Sequence, residues 1–570
     1  MPLSNNKNYT LSDGFAIMMP YRDIFNEEIT EQEVIKTIKS LNKREVLAAT
    51  CKLGNVLENH GHMNRELQHG LINELFHNEQ DKSKILKVFK SSPDRFLFFE
   101  QQLLHLIKLT LEHGNPYAKK KLNDTANFDL YLKKCVIPCG DLLNREYESD
   151  KNMDNPNRRL QLDALLKEVI RNAYFNSTEQ FRYLFTRNYE ILFNIAKSDR
   201  AIKSENYIDL ESLYKKAKNH TLEEAYVLGF SLLAHYANVN IYKDKIDLNN
   251  FEINKNVYFN ELKYSKYKAI KYLNKLTLSN SLDSSNKIYD FITLRQKPLI
   301  KISKDVYMPT SVRFVKERIS SGIFWDIWDS LEKSERYRLA RFYGELFEEY
   351  EQNLFQRMLG NDNEYKVFNE LTYGKSHKKT SDIIIVYKNV AFFAEINTSK
   401  LKMVDTAING DLEGYRKDLE KIVLNSVKQI DRSIKDFKRK EFRLEGVESK
   451  DIKAFVPIIV TINPFPQADL IWIEEILPLI ENNKYLNGKN VESLTILSAE
   501  ETEMMEAYTN TEYSFGDLIV NRLMRNEFKY KPMKHFLLAL KFGEVEPRND
   551  FLKKRFDEVF ILSKKILFNK

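Results

Sequence analysis

Residues 381–400 read SDIIIVYKNVAFFAEINTSK. Two apolar runs, 382–387 and 390–396, flank the turn-like pair Lys388-Asn389, and the whole reads as a β-hairpin. Each run carries one acid at an end: Asp382 opens the first and Glu395 closes the second. A carboxylate is costly in an apolar strand unless it is paired or bound to an ion. At the ends of adjacent strands, two such carboxylates can converge on one point. Together with intervening backbone carbonyls, that of Ile396 among them, they offer the hard oxygen ligands that Mg²⁺ or Mn²⁺ prefers. An ion held there can activate water and neutralise charge on a phosphate. The plainer alternative is that Asp382 caps a turn and Glu395 ends an edge strand.

Outward from this hairpin the periodicity is that of an α/β domain. A strong helix is predicted at 336–359, with Leu339, Phe342, Tyr343, Leu346, Phe347, Tyr350 and Leu354 on one face. A long amphipathic helix fills 411–440, followed by strand 453–462, helix 469–480, strand 493–497 and helix 499–507. Helices around a mixed central sheet are the expected architecture. Upstream, helical spacing dominates from about 28 to 280, with helices predicted at 31–57, 101–112, 160–176 and 222–238. Turn chemistry marks 114–116, 150–156 and 248–255. Residues 297–303 and 305–309 read as a short hairpin. The expected division is an all-α N-terminal region over 1–284, the α/β domain over 285–510 and a helical extension over 511–570.

This order of helix, acid-bearing hairpin, long helix, strand, helix and strand resembles the PD-(D/E)XK superfamily, the restriction-endonuclease-like nucleases. The resemblance covers about residues 290–510 and is closest to bacterial members from phage-defence and mobile-element contexts. In those a KPLIKI-like hairpin precedes a helix reading G-x-x-F-E-x-Y; here the hairpin begins at Lys297, and the helix carries Gly344, Phe347, Glu348 and Tyr350. The resemblance implies a mixed central sheet flanked by helices and a metal-dependent nuclease acting on DNA, in defence against foreign DNA. It makes Glu348 the helix acid and Asp382 and Glu395 the Mg²⁺ ligands, with Mn²⁺ as the substitute. Glu345, Glu349 and Glu351 share that helix, and Glu348 lies off the centre of the apolar stripe, so a solvated surface acid is the other reading.

One position departs from the family pattern. The family usually has Lys two residues after the second acid, where it orients water and stabilises developing charge. Here that residue is Asn397, and the next lysine is Lys400, which could reach back if the strand ends at Thr398. Some members of the superfamily accept another polar residue at this place. Two functions therefore stand side by side: a nuclease in which Asn397 or Lys400 aids the water, and a cleavage-inactive module that keeps the fold and binds DNA or a partner. A protein-interaction scaffold without a nucleic-acid role is the third.

The helix at 411–440 adds a binding face. At 100° per residue, Leu412, Tyr415, Leu419, Ser426, Ile430 and Phe437 gather on one side. Lys417, Lys421, Lys428, Arg432, Lys435 and Arg439 fall within about 60° of arc on the other, with no acid between them. Solvated faces usually mix signs to gain i,i+4 pairs, whereas an all-basic stripe suits phosphate tracking. By resemblance, Gln429 is the glutamine that the family often carries on this helix near the site. A second basic cluster, Lys375, His377, Lys378 and Lys379, stands just before Asp382, where it could grip the backbone near the cut.

Other signals carry less. Gly374-Lys375-Ser376 ends like a phosphate-binding loop, but the glycine required five positions earlier is Asn369. Cys135 and Cys139 have no second pair to complete a zinc site. His60, His62 and His69 read as surface or capping residues, and Trp325 and Trp328 as core packing under the helix. The 570 residues carry 88 basic and 81 acidic side chains, net +7, which permits a nucleic-acid partner without demanding one. Three cysteines argue against a disulfide framework and for a reducing cytoplasm. No signal peptide is apparent at the N-terminus, and no apolar run approaches the ~20 residues of a membrane helix. A cytoplasmic protein is expected. Its helical N-terminal region would sense, bind a protein partner or bind DNA.

Overall fold

The computed structural model describes residues 17–60, 64–148, 157–176, 179–237, 253–254, 264–278, 287–360, 362–540 and 547–568. The turns expected at 150–156 and across most of 248–255 lie outside the described residues, as do His62 and the side chain of His60.

The chain forms two compact units. The first gathers Met1–Lys151, Val227–Ile319 and Ser563–Lys570; the second gathers Asn152–Tyr226 and Ser320–Leu562. These limits differ from divisions at 284 and 510. Residues 152–226 build onto the C-terminal unit, and the hairpin near Lys297 belongs to the N-terminal one.

The first unit is mainly helical. Its central helix, Glu100–His113, has every residue from Glu100 to Leu111 buried. The helix expected over 31–57 is two helices, Glu31–Ser40 and Lys43–His60. They part at Asn42, whose side chain accepts the amides of Arg44 and Glu45 and starts the second helix. The hairpin appears as Leu299–Lys301 against Val306–Pro309, antiparallel. Ile253–Asn254 adds a third strand, a pairing too distant in sequence for local pattern to foresee.

The second unit is built on a five-stranded mixed sheet, with strands labelled β1 (Tyr365–Asn369), β2 (Ile383–Tyr387), β3 (Val390–Asn397), β4 (Ala454–Thr461) and β5 (Thr495–Ser498). They lie side by side in chain order. β1, β2 and β3 form an antiparallel meander, while β3, β4 and β5 run parallel. The β2–β3 turn carries Lys388 at φ 53°, the left-handed geometry of a tight hairpin. Three helices position the sheet's ends: α1 (Lys333–Leu359), α2 (Asn425–Lys438) and α3 (Ala499–Thr509).

Alternation along the strands assigns the two faces. Ile384, Val386, Ala391 and Phe393 pack with Val427, Ile430, Ile434 and Phe437 of α2. On the other face Phe392 and, from α1, Phe355 meet Phe515 edge-on at 5.3 and 5.7 Å. Each of the buried valine, isoleucine and phenylalanine side chains among these contributes about 1.5–3 kcal/mol through the apolar surface it removes from water. Ahead of α2 the chain is not one uninterrupted α-helix: Leu412–Leu419 passes into a π-helical turn at Glu420–Leu424. No helix among the described residues is long and apolar enough to cross a membrane.

Candidate functional site

Strand register brings the two acids together. Ile383 pairs with Ala394 at the last rung of the β2–β3 ladder, so Asp382 and Glu395 face each other one step beyond it. Directly opposed residues have Cβ atoms roughly 4.5–5.5 Å apart. Both point to the α2 side, because they share alternation with Ile384 and Phe393. Asp382 is 9% exposed and Glu395 6%.

The pair is short of compensation. Asp382 Oδ2 accepts the Ile396 amide at 2.7 Å. Burial nonetheless raises its pKa to about 7, and the charges of Glu348 and Glu370 add to the rise while that of Lys379 opposes it. Burial and the Asp382 charge push Glu395 well above the carboxylate range, and Arg432 pulls weakly the other way. The Ser381 hydroxyl lies near enough to favour ionised Glu395 yet falls outside hydrogen-bond geometry, so Ser381 Oγ and Glu395 Oε1 are both buried without a partner. At neutral pH such a pair holds a proton, or it takes a cation.

Around these carboxylates stand Glu348, Glu370, Lys379 and Arg432. Glu348, half-buried on α1, accepts from Arg200 at 2.8 Å and from Gln352 at 3.0 Å, so it is neither a free surface acid nor uncommitted. Glu370 had no pattern to single it out: it follows β1 in a loop and pairs with Lys379 at 2.9 Å. Gln429 donates to the Thr380 carbonyl at 3.1 Å and Arg432 to that of Lys379 at 3.0 Å. Both thus anchor the backbone leading into Asp382. Among the described residues no three His, Cys, Asp or Glu side chains are gathered closely enough to cage a metal by themselves. A metal here would rest on the two carboxylates and backbone oxygen.

Both residues expected to replace the family lysine are engaged by other groups, although Asn397 shares the face of Glu395 on β3. The Asn397 amide donates to the carbonyls of Lys421 and Ile422, each at 3.2 Å, and to Ser426 Oγ at 3.0 Å. The Ile422 carbonyl also accepts from the Ser426 hydroxyl at 3.0 Å, so Asn397 adds to a bond already made at the π-helical turn. Lys400 does not reach back. Its ammonium sits in an aromatic box, 5.6 Å from the Phe324 ring centre, 5.5 Å from that of Trp325 and 6.0 Å from that of Tyr343. Burial there lowers its pKa to about 8, with Glu179 opposing and Arg187 adding to the fall. Trp325 is 45% exposed and so is not core packing.

The basic face is present, though two of its charges are offset. Lys417, Lys421, Lys428, Arg432 and Arg439 are exposed and Lys435 partly so. Lys417 pairs with Glu413 at 2.6 Å and Lys435 with Asp431 at 2.6 Å. Lys421, Lys428 and Arg439 form no ion pair among the described residues. The π-helical turn also inserts one extra residue into the winding, so Lys417 does not align with the later lysines as on an ideal helix. In the cluster before Asp382, Lys378 is drawn to Asp436 and Glu441 at 3.3 and 3.1 Å. In the first unit the thiols of Cys51, Cys135 and Cys139 are free and buried, and His69 bonds Asn73 at 3.3 Å.

No family model, curated protein or solved structure matches the chain.

Proposed function

We propose that the second unit is a divalent-metal-dependent nuclease that hydrolyses phosphodiester bonds in DNA, of the PD-(D/E)XK type. The observation that carries this reading is the opposed pair Asp382 and Glu395, buried at adjacent strand ends with Glu395 Oε1 unpartnered. Two carboxylates kept short of donors suit a cation, because protonation or a bound charge is what relieves their repulsion. The element order supports the same reading: a helix with Glu348, an antiparallel meander with the acids on its inner hairpin, then α2 and parallel β4 and β5.

Asp382, Glu395 and the Ile396 carbonyl would hold Mg²⁺ or Mn²⁺. Bound there, the ion supplies positive charge and Lewis acidity for attack of water on a phosphodiester. The chain's own residues do the rest. The Ile396 amide orients Asp382, Gln429 and Arg432 fix the strand that carries it, and Lys379 places positive charge beside it. Lys421, Lys428 and Arg439 offer charge to the phosphate backbone. A role in defence against foreign DNA follows from the resemblance alone.

The cleavage-inactive reading has its own observation: Asn397 is committed to the π-helical turn and Lys400 to its aromatic box. Incubating the purified full chain with linear, circular and single-stranded DNA, with and without Mg²⁺ or Mn²⁺, separates the two. Metal-dependent cleavage abolished by Asp382→Ala and by Glu395→Ala is the expected result. Metal-independent cleavage, or cleavage that survives both substitutions, overturns it. DNA binding without cleavage under any metal leaves the inactive module.

A further inference from the structure

In the helix that brings Glu348 to the acids, the first half mostly faces solvent. At 100° per residue, Tyr337, Arg341, Gly344 and Glu348 fall within about 60° of arc, one line along α1. Tyr337 is 63% exposed, and the Arg341 guanidinium lies 4.5 Å from its ring centre. At Gly344 the line has no side chain, and a Cβ there would meet Thr398 Oγ1 at 3.5 Å, which sets the exit of β3 beside it. Just past that exit is Trp325, half exposed, with the Lys400 ammonium against it. The start of the helix, KSERYRLAR over 333–341, carries Lys333, Arg336, Arg338 and Arg341 against Glu335 alone.

Two exposed rings stand here each beside a cation, Trp325 with Lys400 and Tyr337 with Arg341. Rings that accept any base face, beside arginines that attract phosphate, are what a single strand of nucleic acid requires. A duplex keeps its base faces stacked inside and cannot use the rings. From Tyr337 to Glu348 the helix rises roughly 16 Å, the reach of a few nucleotides.

We infer that a single strand reaches the Asp382–Glu395 pair along this line, with bases stacked on Trp325 and Tyr337 and the backbone drawn by Arg341. The inference rests on the nuclease reading for the strand's destination and adds the class of substrate: unpaired nucleic acid, or the unpaired end of a duplex. Trp325, Tyr337 and Arg341 are outside the proposed metal site, so the two readings fail separately.

The test is anisotropy of a labelled oligonucleotide with the full chain in EDTA, as a single strand and as the same sequence in duplex. Tighter binding of the single strand is expected. Tyr337→Ala should weaken it on the order of tenfold, while Tyr337→Phe, which keeps the ring, should retain it. Strand binding should also quench tryptophan emission in the wild type and do so less in Trp325→Phe. Equal or tighter binding of the duplex, or wild-type single-strand affinity in Tyr337→Ala, overturns the inference even if DNA is cleaved. Single-strand binding that depends on Tyr337 without cleavage under any metal upholds this surface and removes the nuclease reading.

Discussion

The Ile396 amide donates to Asp382 Oδ2 at 2.7 Å, so the peptide that follows Glu395 grips the carboxylate facing it. One amide is too little. Burial still raises Asp382 to about 7, and burial together with the Asp382 charge raises Glu395 well above the carboxylate range, its Oε1 lacking any partner. The hairpin thus concentrates a folding penalty at one point, which is how sites for chemistry are often built.

The penalty has a sign with pH. Asp382 has its pKa raised on folding, so its contribution is fully present below the unfolded value of ~3.9 and lost as pH climbs through about 7. Asp382→Asn does not titrate. In EDTA, the variant's stability relative to wild type should therefore climb between pH 4 and 7 and level off above. Three pH units at ~1.36 kcal/mol each set a ceiling on the order of 4 kcal/mol. Denaturant midpoints across that range provide the check, and a constant difference would show that Asp382 is not burdened by folding.

Metal binding should carry the same proton. Below pH 7 an ion must displace it, together with any proton held by the raised Glu395, so Mn²⁺ affinity should fall at least about tenfold per unit. Calorimetry at one pH in buffers of different ionisation enthalpy reads the proton released. Affinity independent of pH between 5.5 and 7 would mean that the ion binds elsewhere.

The hairpin at 381–400 was readable because its signals are local: an alternation of two, a turn pair and acids at the ends. The helices at 336–359 and 411–440 were readable through their apolar stripes, apart from the π-helical turn, which leaves periodicity nearly unchanged. What escaped depends on distant residues. The run AEETEMMEAYT of α3 looks like a surface helix, yet Glu500, Glu501, Glu503 and Glu506 are all buried. Arg187, 1% exposed at its side chain, reaches Glu503 at 2.9 Å, and Arg357 reaches Glu506 at 2.9 Å. No window around α3 contains either arginine. Lys400 escaped for a similar reason: its path is set by Phe324, Trp325 and Tyr343, more than fifty positions upstream.

Placing at position 397 the lysine of the family that the sequence resembles should not help this chain. Asn397→Lys removes the donor to the carbonyls of Lys421 and Ile422 and to Ser426. Ser426 keeps its bond to the Ile422 carbonyl and the Lys421 carbonyl is open to water, so the loss costs on the order of 1 kcal/mol. The variant should unfold at lower temperature and cleave no faster than wild type. A faster, equally stable Asn397→Lys would mean that the amide's bonds to the helix are dispensable and that the position is catalytic after all.

The basic face allows a sharper distinction, because its charges differ in their partners. Lys417 and Lys435 already face Glu413 and Asp431 at 2.6 Å, so their net field at a phosphate is reduced. Arg432 is turned to the Lys379 carbonyl, and its loss would disturb the approach to Asp382 as well as binding. Lys421, Lys428 and Arg439 carry neither complication. Each replacement of these three by Gln should lower the slope of log affinity against log salt by ~0.9 for duplex DNA and ~0.7 for a single strand, one phosphate contact at a time. Lys417→Gln and Lys435→Gln should change it less, since they also free an acid. Binding titrations from 50 to 200 mM salt on metal-free protein are sufficient, with melting curves to verify folding. If all five variants keep the wild-type slope, the face is ordinary solvated surface and the nucleic acid is held on other elements, α1 first among them.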